Sequence, residues 1–243
     1  MKNVHLSLQE NRISIGSESL FYGTTCFILN NSGDFSVKVL KKGGDNSNSY
    51  TGLHSDDNFL QKWVKPMTDS IKARRSIRRF TEQPIEQEKL EEIIEAARWA
   101  PSWGNLQCSE IVIVKETDKK KKLAELLSAK NPATKVMENG PLVIAICGRP
   151  EKSGYYKGKQ QTRYQHWFMY DLGIVSQNIC LKAYELGLGS VMVGSFDHPK
   201  VEELLNVPAG CEVVALIPIG YPDHSPSPPE RKGVEDFVHY EKF

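Results

Sequence analysis

Trp99-Ala-Pro-Ser-Trp-Gly-Asn-Leu-Gln-Cys108 is where the chain passes from one regular texture into another. Upstream, Leu90, Ile93, Ile94 and Ala97 fall at helical steps, and Pro101 stops that helix. Downstream, residues 110–114 read as a short strand. The polar loop between them carries Asn105 and Gln107, whose amides can offer donors and acceptors to a flat heterocycle, while Trp99 and Trp103 supply aromatic surface. Standing alone, the segment reads as a capped turn whose tryptophans pack in the core.

Further upstream lies Arg74-Arg-Ser-Ile-Arg-Arg-Phe80. Arg74, Ser76 and Arg78 alternate, so an extended backbone would project two guanidiniums and a hydroxyl together. That set suits a phosphate monoester, because an arginine fork matches phosphate oxygens and keeps its charge. A solvated basic patch beside the acidic stretch 86–95 is the equally available alternative. Further downstream, Glu185-Leu-Gly-Leu-Gly-Ser-Val-Met-Val-Gly-Ser-Phe-Asp197 has glycines at 187, 189 and 194, which permit close backbone approach and leave N–H groups accessible. It matches neither GxGxxG between strand and helix nor GxxxxGK[ST], so neither dinucleotide-fold nor P-loop chemistry is supported.

Around these stretches the chain alternates helices and strands. Residues 118–128 read as a helix capped by Asp118, and 142–147 as a buried strand. Leu172, Val175, Ile179, Ala183 and Leu186 mark a helix ended by Gly187. Residues 190–193 read as a strand, Asp197 and Pro199 open a helix through Leu205, and 213–219 form another buried strand. The tail, with Pro222, Pro226, Pro228 and Pro229, runs extended. Residues 1–66 differ, being rich in Asn, Ser and Gly. There, 26–29 and 35–40 flank a turn signal and predict a β-hairpin, followed by a flexible connection over 41–55. The division is an accessory β-prone segment, 1–66, and a main domain, 67–243.

Lysine plus arginine number 31 against 30 acidic residues, so no global field draws the chain to nucleic acid or an anionic membrane. The apolar runs are too short to span a bilayer, and the N-terminus lacks the pattern of a signal peptide. Five cysteines at scattered spacing argue against a disulfide framework. With no CxxC or HExxH, the sequence predicts no metal site and a reducing, cytoplasmic setting. Cys108 beside an apolar strand reads as a packing residue, with a redox thiol as the alternative. The run 119–122 reads as a solvated lysine face, and 151–161 as a surface excursion or a loop over a pocket. His166, His198 and His224 are proton-donor candidates by residue type only.

In this order and at these separations, the three stretches resemble the nitroreductase family of FMN enzymes, over about residues 65–243. Asp171…Gln177-Asn178…Gly187-Leu-Gly189 and Pro229-Glu-Arg-Lys232 add to the likeness. The resemblance implies an α+β fold, an α/β/α sandwich around a mixed β-sheet. It also implies a homodimer with two FMN sites at its interface and NAD(P)H as electron donor. Carried over by position, Arg74, Ser76 and Arg231 would hold the FMN phosphate, with Arg75 beside them. Arg78 would lie near the polar edge of the ring, where Asn105 also bonds, with Gln107 close by. Pro101, Ser102 and Trp103 would line the pocket from the partner subunit. After Val193, the N–H groups of Gly194 and Ser195 would face the flavin N5. Many relatives carry a Pro-x-Glu/Gly-Gly run there, whereas this chain reads Met192-Val-Gly-Ser195. The implied activity is hydride transfer to a small oxidised organic acceptor (nitroaromatic, quinone or enone) by a ping-pong mechanism. The alternatives are a reductive dehalogenase of the same fold and a flavin-binding or regulatory protein with little turnover.

Overall fold

The structure, a computed structural model, describes the strand segments 8–9, 12–13, 21–22, 25–29, 35–39, 41–42 and 50–51, and residues 67–243 with side chains from 70 onward. Its contacts divide the chain into two compact units, Met1–Pro66 and Met67–Phe243. In the first unit, Thr25–Leu29 and Phe35–Val39 pair antiparallel, with Leu29 opposite Phe35, forming the predicted hairpin. The connection read over 41–55 is partly a ladder instead: Lys41–Lys42 pair antiparallel with Tyr50–Thr51. Backbone pairing needs no apolar alternation, so it left no periodic signal. The remainder of that stretch lies outside the described residues.

The second unit begins with α1 (Met67–Ala73), an extended segment, and α2 (Gln87–Arg98). There follow β1 (Ser109–Val114), α3 (Thr117–Glu125), α4 (Thr134–Asn139) and β2 (Leu142–Gly148). A small hairpin of β3 (Tyr155–Tyr156) and β4 (Lys159–Gln160) precedes the long helix α5 (Phe168–Glu185). β5 (Gly189–Ser190), α6 (His198–Leu204) and β6 (Glu212–Gly220) complete it.

The sheet runs β5-β6-β2-β1 with all four strands antiparallel to their neighbours. Its mixed character comes from a parallel bridge between Ser76 and Ser190, where the Ile77 N–H donates to the Ser190 carbonyl at 2.9 Å. Every residue of β2 is buried. Leu142, Ile144 and Ile146 face a layer containing Ile93 of α2 and Leu172 and Ile179 of α5. Val143, Ala145 and Cys147 face Leu123, Met137 and Val201 from α3, α4 and α6. The period-two alternation therefore feeds two cores, which explains an unbroken apolar run in an antiparallel strand. The result is the predicted α/β/α sandwich.

α5 ends as its glycine predicts. Gly187 has φ +79°, its N–H bonds the Tyr184 carbonyl at 3.0 Å, and the Leu188 N–H bonds Ala183 at 2.8 Å. These paired bonds form a Schellman motif. Asp197 caps α6 by accepting from the Lys200 N–H. Elsewhere the expectations need correction. α3 starts after Glu116, whose side chain makes no capping bond, and stops at Glu125, because Leu127 bridges Phe196 and the Ser128 N–H turns to the Ser195 carbonyl. α4, six residues long, is too short to show a period and was not foreseen. Of residues 191–193, read as strand, Val193 alone forms a bridge among the described residues, with Leu216. Lys120 does not belong to a solvated face: it is 6% exposed and donates to the Gly140 carbonyl at 2.5 Å. Its position three and four residues before Leu123 and Ala124 places it on the buried side, and burial lowers its pKa. Among the described residues no helix is long and apolar enough to cross a membrane.

The extended segment after α1 is clamped at its far end. Phe80 bridges Pro222, Thr81 N–H bonds the Tyr221 carbonyl at 2.9 Å and Asp223 N–H bonds Arg79 at 3.0 Å. Phe80 can lie this close only because residue 220 has no side chain. A Cβ there would meet Phe80 Cγ at 2.7 Å and Pro141 Cδ at 2.8 Å. Gly220→Ala should therefore overpack the sheet end and cost about 1–3 kcal/mol. A lower urea midpoint at unchanged m-value would be the expected result.

Candidate active site

Three surfaces carry the residues singled out from sequence. The first is the segment 74–80. Its backbone follows β5 in parallel, so Ser76 sits beside Ser190, and Ile77 is buried while Arg78 is exposed. Arg74 is half-buried, and among the described residues no carboxylate pairs with it. Arg75 turns back on its own helix, with Nη1 donating to the carbonyls of Lys72 at 2.6 Å and Arg74 at 2.9 Å, while its buried Nε has no partner. Arg74 and Ser76 are thus the groups free to take an anion. A half-buried guanidinium without a carboxylate partner suits an anion.

The second surface is the loop after α2. Pro101 is exposed, and Trp103–Asn105 form one 3-10 turn. Gly104, Asn105 and Gln107 all have left-handed backbones, at φ +55°, +53° and +48°. Glycine and asparagine accept this readily, glutamine less so, and such a non-glycine residue costs on the order of 1–3 kcal/mol. What holds the turn is therefore informative. The Asn105 N–H bonds the Ser102 carbonyl at 3.0 Å, and the Gln107 N–H bonds the Ser102 hydroxyl at 2.9 Å. The Trp103 N–H reaches both carboxylate oxygens of Asp171 at 3.2 Å. Asn105 and Gln107 are left exposed, their side chains within 3.4 Å of each other. Neither tryptophan is in the core: Trp103 is half-buried, and Trp99 is 71% exposed with its indole N–H on Glu95.

Asp171 is the residue whose role the sequence did not disclose. It lies in the first turn of α5, 2% exposed, with no cation paired to it among the described residues. It also accepts from the Ser153 hydroxyl at 2.7 Å and the Cys108 thiol at 3.4 Å. Three neutral donors and the helix N-terminus stabilise the charge that burial opposes. Through Ser153 it ties down the excursion 149–167, which has two further contacts with the loop. The Arg149 N–H bonds the Cys108 carbonyl and Lys152 Nζ bonds the Gln107 carbonyl, both at 3.2 Å. The excursion borders an open cavity of about 710 Å³ lined by Arg149, Lys152, Tyr155, Gln165, His166 and Glu212.

The third surface is the segment after β5. Val193 exchanges backbone bonds with Leu216 at 2.9 Å in both directions. Gly194 and Ser195 then turn out to solvent, and among the described residues their N–H groups donate to no backbone carbonyl. A Cβ on Gly194 would meet nothing within 4 Å, so this backbone faces open space. The segment is anchored behind by the Ser195 carbonyl, which accepts from Ser128. Arg231 is exposed in the tail. Within the described residues no hydrogen bond or ion pair joins Arg231, or the 101–107 turn, to Arg74 or Ser76. The histidines are not gathered at these surfaces. His198 stacks on Phe196 at 4.0 Å with Nδ1 against the Val213 carbonyl, and His224 Nδ1 is buried without a partner.

The model of the nitroreductase family matches residues 71–139 and 128–221, which include all three surfaces. An NADPH-flavin oxidoreductase of Vibrio harveyi is 31% identical over 180 residues, covering 72% of this chain and 73% of its own. This chain belongs to the nitroreductase family. Two solved structures agree with that membership. A nitroreductase family protein of Clostridium novyi NT has a TM-score of 0.60 at 31% identity, covering 68% of this chain and 89% of its own. An FMN-dependent nitroreductase of Clostridium difficile R20291 has a TM-score of 0.59 at 28% identity, covering 72% and 99%. Burial, reinforced by the Asp171 carboxylate, pushes Cys108 up to about 11, and burial raises Cys147 to about 12 and raises Cys180 and Cys211. All four are buried free thiols. In the native protein at pH 8, iodoacetamide should label none of these four, and all four after unfolding. Peptide mass spectrometry reads the difference.

Proposed function

We propose that the protein is an FMN-dependent oxidoreductase, passing a hydride from NAD(P)H to a small oxidised organic acceptor such as a nitroaromatic, quinone or enone. The observation that carries this reading is the half-buried Arg74, unpaired with any described carboxylate, beside Ser76 on the strand edge that leads to the open N–H groups of Gly194 and Ser195. Cationic groups at one end and backbone donors further along suit a phosphate at one end of a ligand and a ring at the other. The residues fit FMN.

In this reading Arg74 and Ser76 hold the phosphate, Arg231 adds a second fork from the tail, and Arg75 stiffens the helix end behind them. Arg78 stands toward the polar edge of the ring. Pro101, Ser102, Trp103, Asn105 and Gln107 form a second wall. That wall makes no hydrogen bond to the phosphate residues within one chain, which favours a homodimer in which each copy supplies the other's wall. Trp99, Met192, Val234 and Phe237 are large apolar side chains exposed in the single chain, and an interface would cover them. When bound, FMN would supply the hydride chemistry that links the nicotinamide to the acceptor in a ping-pong sequence. The chain itself contributes orientation: Val193 fixes the backbone through Leu216, and Gly194 and Ser195 present N–H donors where charge changes.

The purified protein should be yellow, with one FMN per chain released on heating. Arg74→Ala and Arg231→Ala should each weaken FMN binding, since a hydrogen bond to a charged group contributes about 1.5–3 kcal/mol, or roughly 10- to 150-fold. Wild-type affinity in both variants, measured by flavin fluorescence titration, would reject the phosphate assignment.

Ser195 separates backbone from side chain. Ser195→Ala keeps the N–H and should bleach flavin with NAD(P)H at a rate within a few-fold of wild type in single-turnover mixing. Ser195→Pro removes the donor and should slow the step by about 5- to 150-fold while still holding FMN. A slow alanine variant would transfer the role to the hydroxyl.

A further inference from the structure

We propose that Asp171 is a positioning residue for the cofactor, its buried carboxylate setting the left-handed turn 103–107 in place before FMN arrives. The inference rests on the reading of that turn as a wall of the flavin site, but its geometry does not. Two non-glycine residues, Asn105 and Gln107, sit at positive φ and are exposed, so no core packing of their own side chains holds them there. The backbone bonds inside the turn all return to Ser102 or Trp103. Asp171, 68 residues after Trp103, supplies the buried link from this small knot to the body of the protein, beside the exposed bond of Lys152 to the Gln107 carbonyl.

The chemistry of the contact requires a carboxylate. Trp103 N–H, Ser153 O–H and Cys108 S–H converge on two oxygens. The hydroxyl can rotate to accept instead, but the backbone N–H cannot. Because both oxygens lie 3.2 Å from that nitrogen, an amide at 171 would set its NH₂ against the N–H in either orientation, even where Ser153 turned to accept from it. Since Ser153 belongs to the excursion beside the cavity, the same carboxylate holds two loops in register. Removing the charge should release the turn, while removing only the serine hydroxyl should release the excursion alone.

Amide hydrogen exchange on the flavin-free protein tests the turn directly. In Asp171→Asn, amides 103–107 should exchange at least about tenfold faster, the loss of one charge-assisted bond, while those of β2 stay unchanged. FMN affinity should fall about tenfold or more, and at saturating FMN the rate of flavin reduction should return to within a few-fold of wild type. Ser153→Ala should quicken exchange over 149–161, leave the turn protected and keep FMN affinity within a few-fold. A folded Asp171→Asn protein with wild-type protection in the turn, or with wild-type FMN affinity, overturns the proposal. If wild type itself takes up no FMN, the functional reading fails, and the exchange result still judges the turn. Should Asp171→Asn not fold, Trp103→Pro set against Trp103→Ala isolates the same N–H, both lacking the indole. Equal exchange over 105–107 in that pair would equally overturn the role of Asp171.

Discussion

A carboxylate buried without a cation must collect neutral donors or lose its charge, and Asp171 collects them from three places. Trp103 comes from the loop after α2, Cys108 from the start of β1 and Ser153 from the excursion after β2. The helix carrying Asp171 packs along the sheet through Leu172, Val175 and Ile179, so the carboxylate is as fixed as the core. The turn after α2 and the excursion after β2 both bond to it. Hydrogen bonds to a charged acceptor contribute about 1.5–3 kcal/mol. That is of the same size as the strain of a non-glycine left-handed residue, so the turn is held but not in excess.

On the opposite side the constraint is steric. Gly189 and Gly220 lie opposite one another in the pairing of β5 with β6. A Cβ on Gly189 would meet Ile77 at 2.8 Å, and one on Gly220 would meet Phe80 at 2.7 Å. The absence of two side chains lets the segment 74–81 lie flat against the sheet end. Only with Ile77 buried do the alternate positions Arg74, Ser76 and Arg78 turn away from the core. The basic motif is displayed by the apolar residue within it.

These two constraints produce polar surfaces that no hydrogen bond or ion pair among the described residues joins. Arg74 has no carboxylate partner among the described residues, and Gly194 and Ser195 keep their N–H groups open. An isolated domain gains nothing from such features, since unpaired cations and donors contribute no stability by themselves. They make physical sense as recognition groups for a ligand that is anionic at one end and polar along its length. Membership of the nitroreductase family and the exposed apolar side chains of the tail bear on the same point.

Much of this was legible in the residues alone. Periodicity located α2, β2, α5 and β6, because each buries a regular set of apolar side chains. Local chemistry located the ends: Gly187 adopts a backbone that few other residues take, and Asp197 caps α6 within three residues of itself. The motifs that carry the family likeness are also local, so they could be read in order. What could not be read depends on partners distant in sequence. Lys120 looked solvated until the Gly140 carbonyl, 20 residues on, was brought to it, and α3 lost its last turn to the strand segment at Ser195. The tertiary structure alone decided that Asp171, 68 residues after Trp103, holds the left-handed turn. A buried charge declares its function only through the donors that folding assembles around it, and no spacing in the chain encodes them.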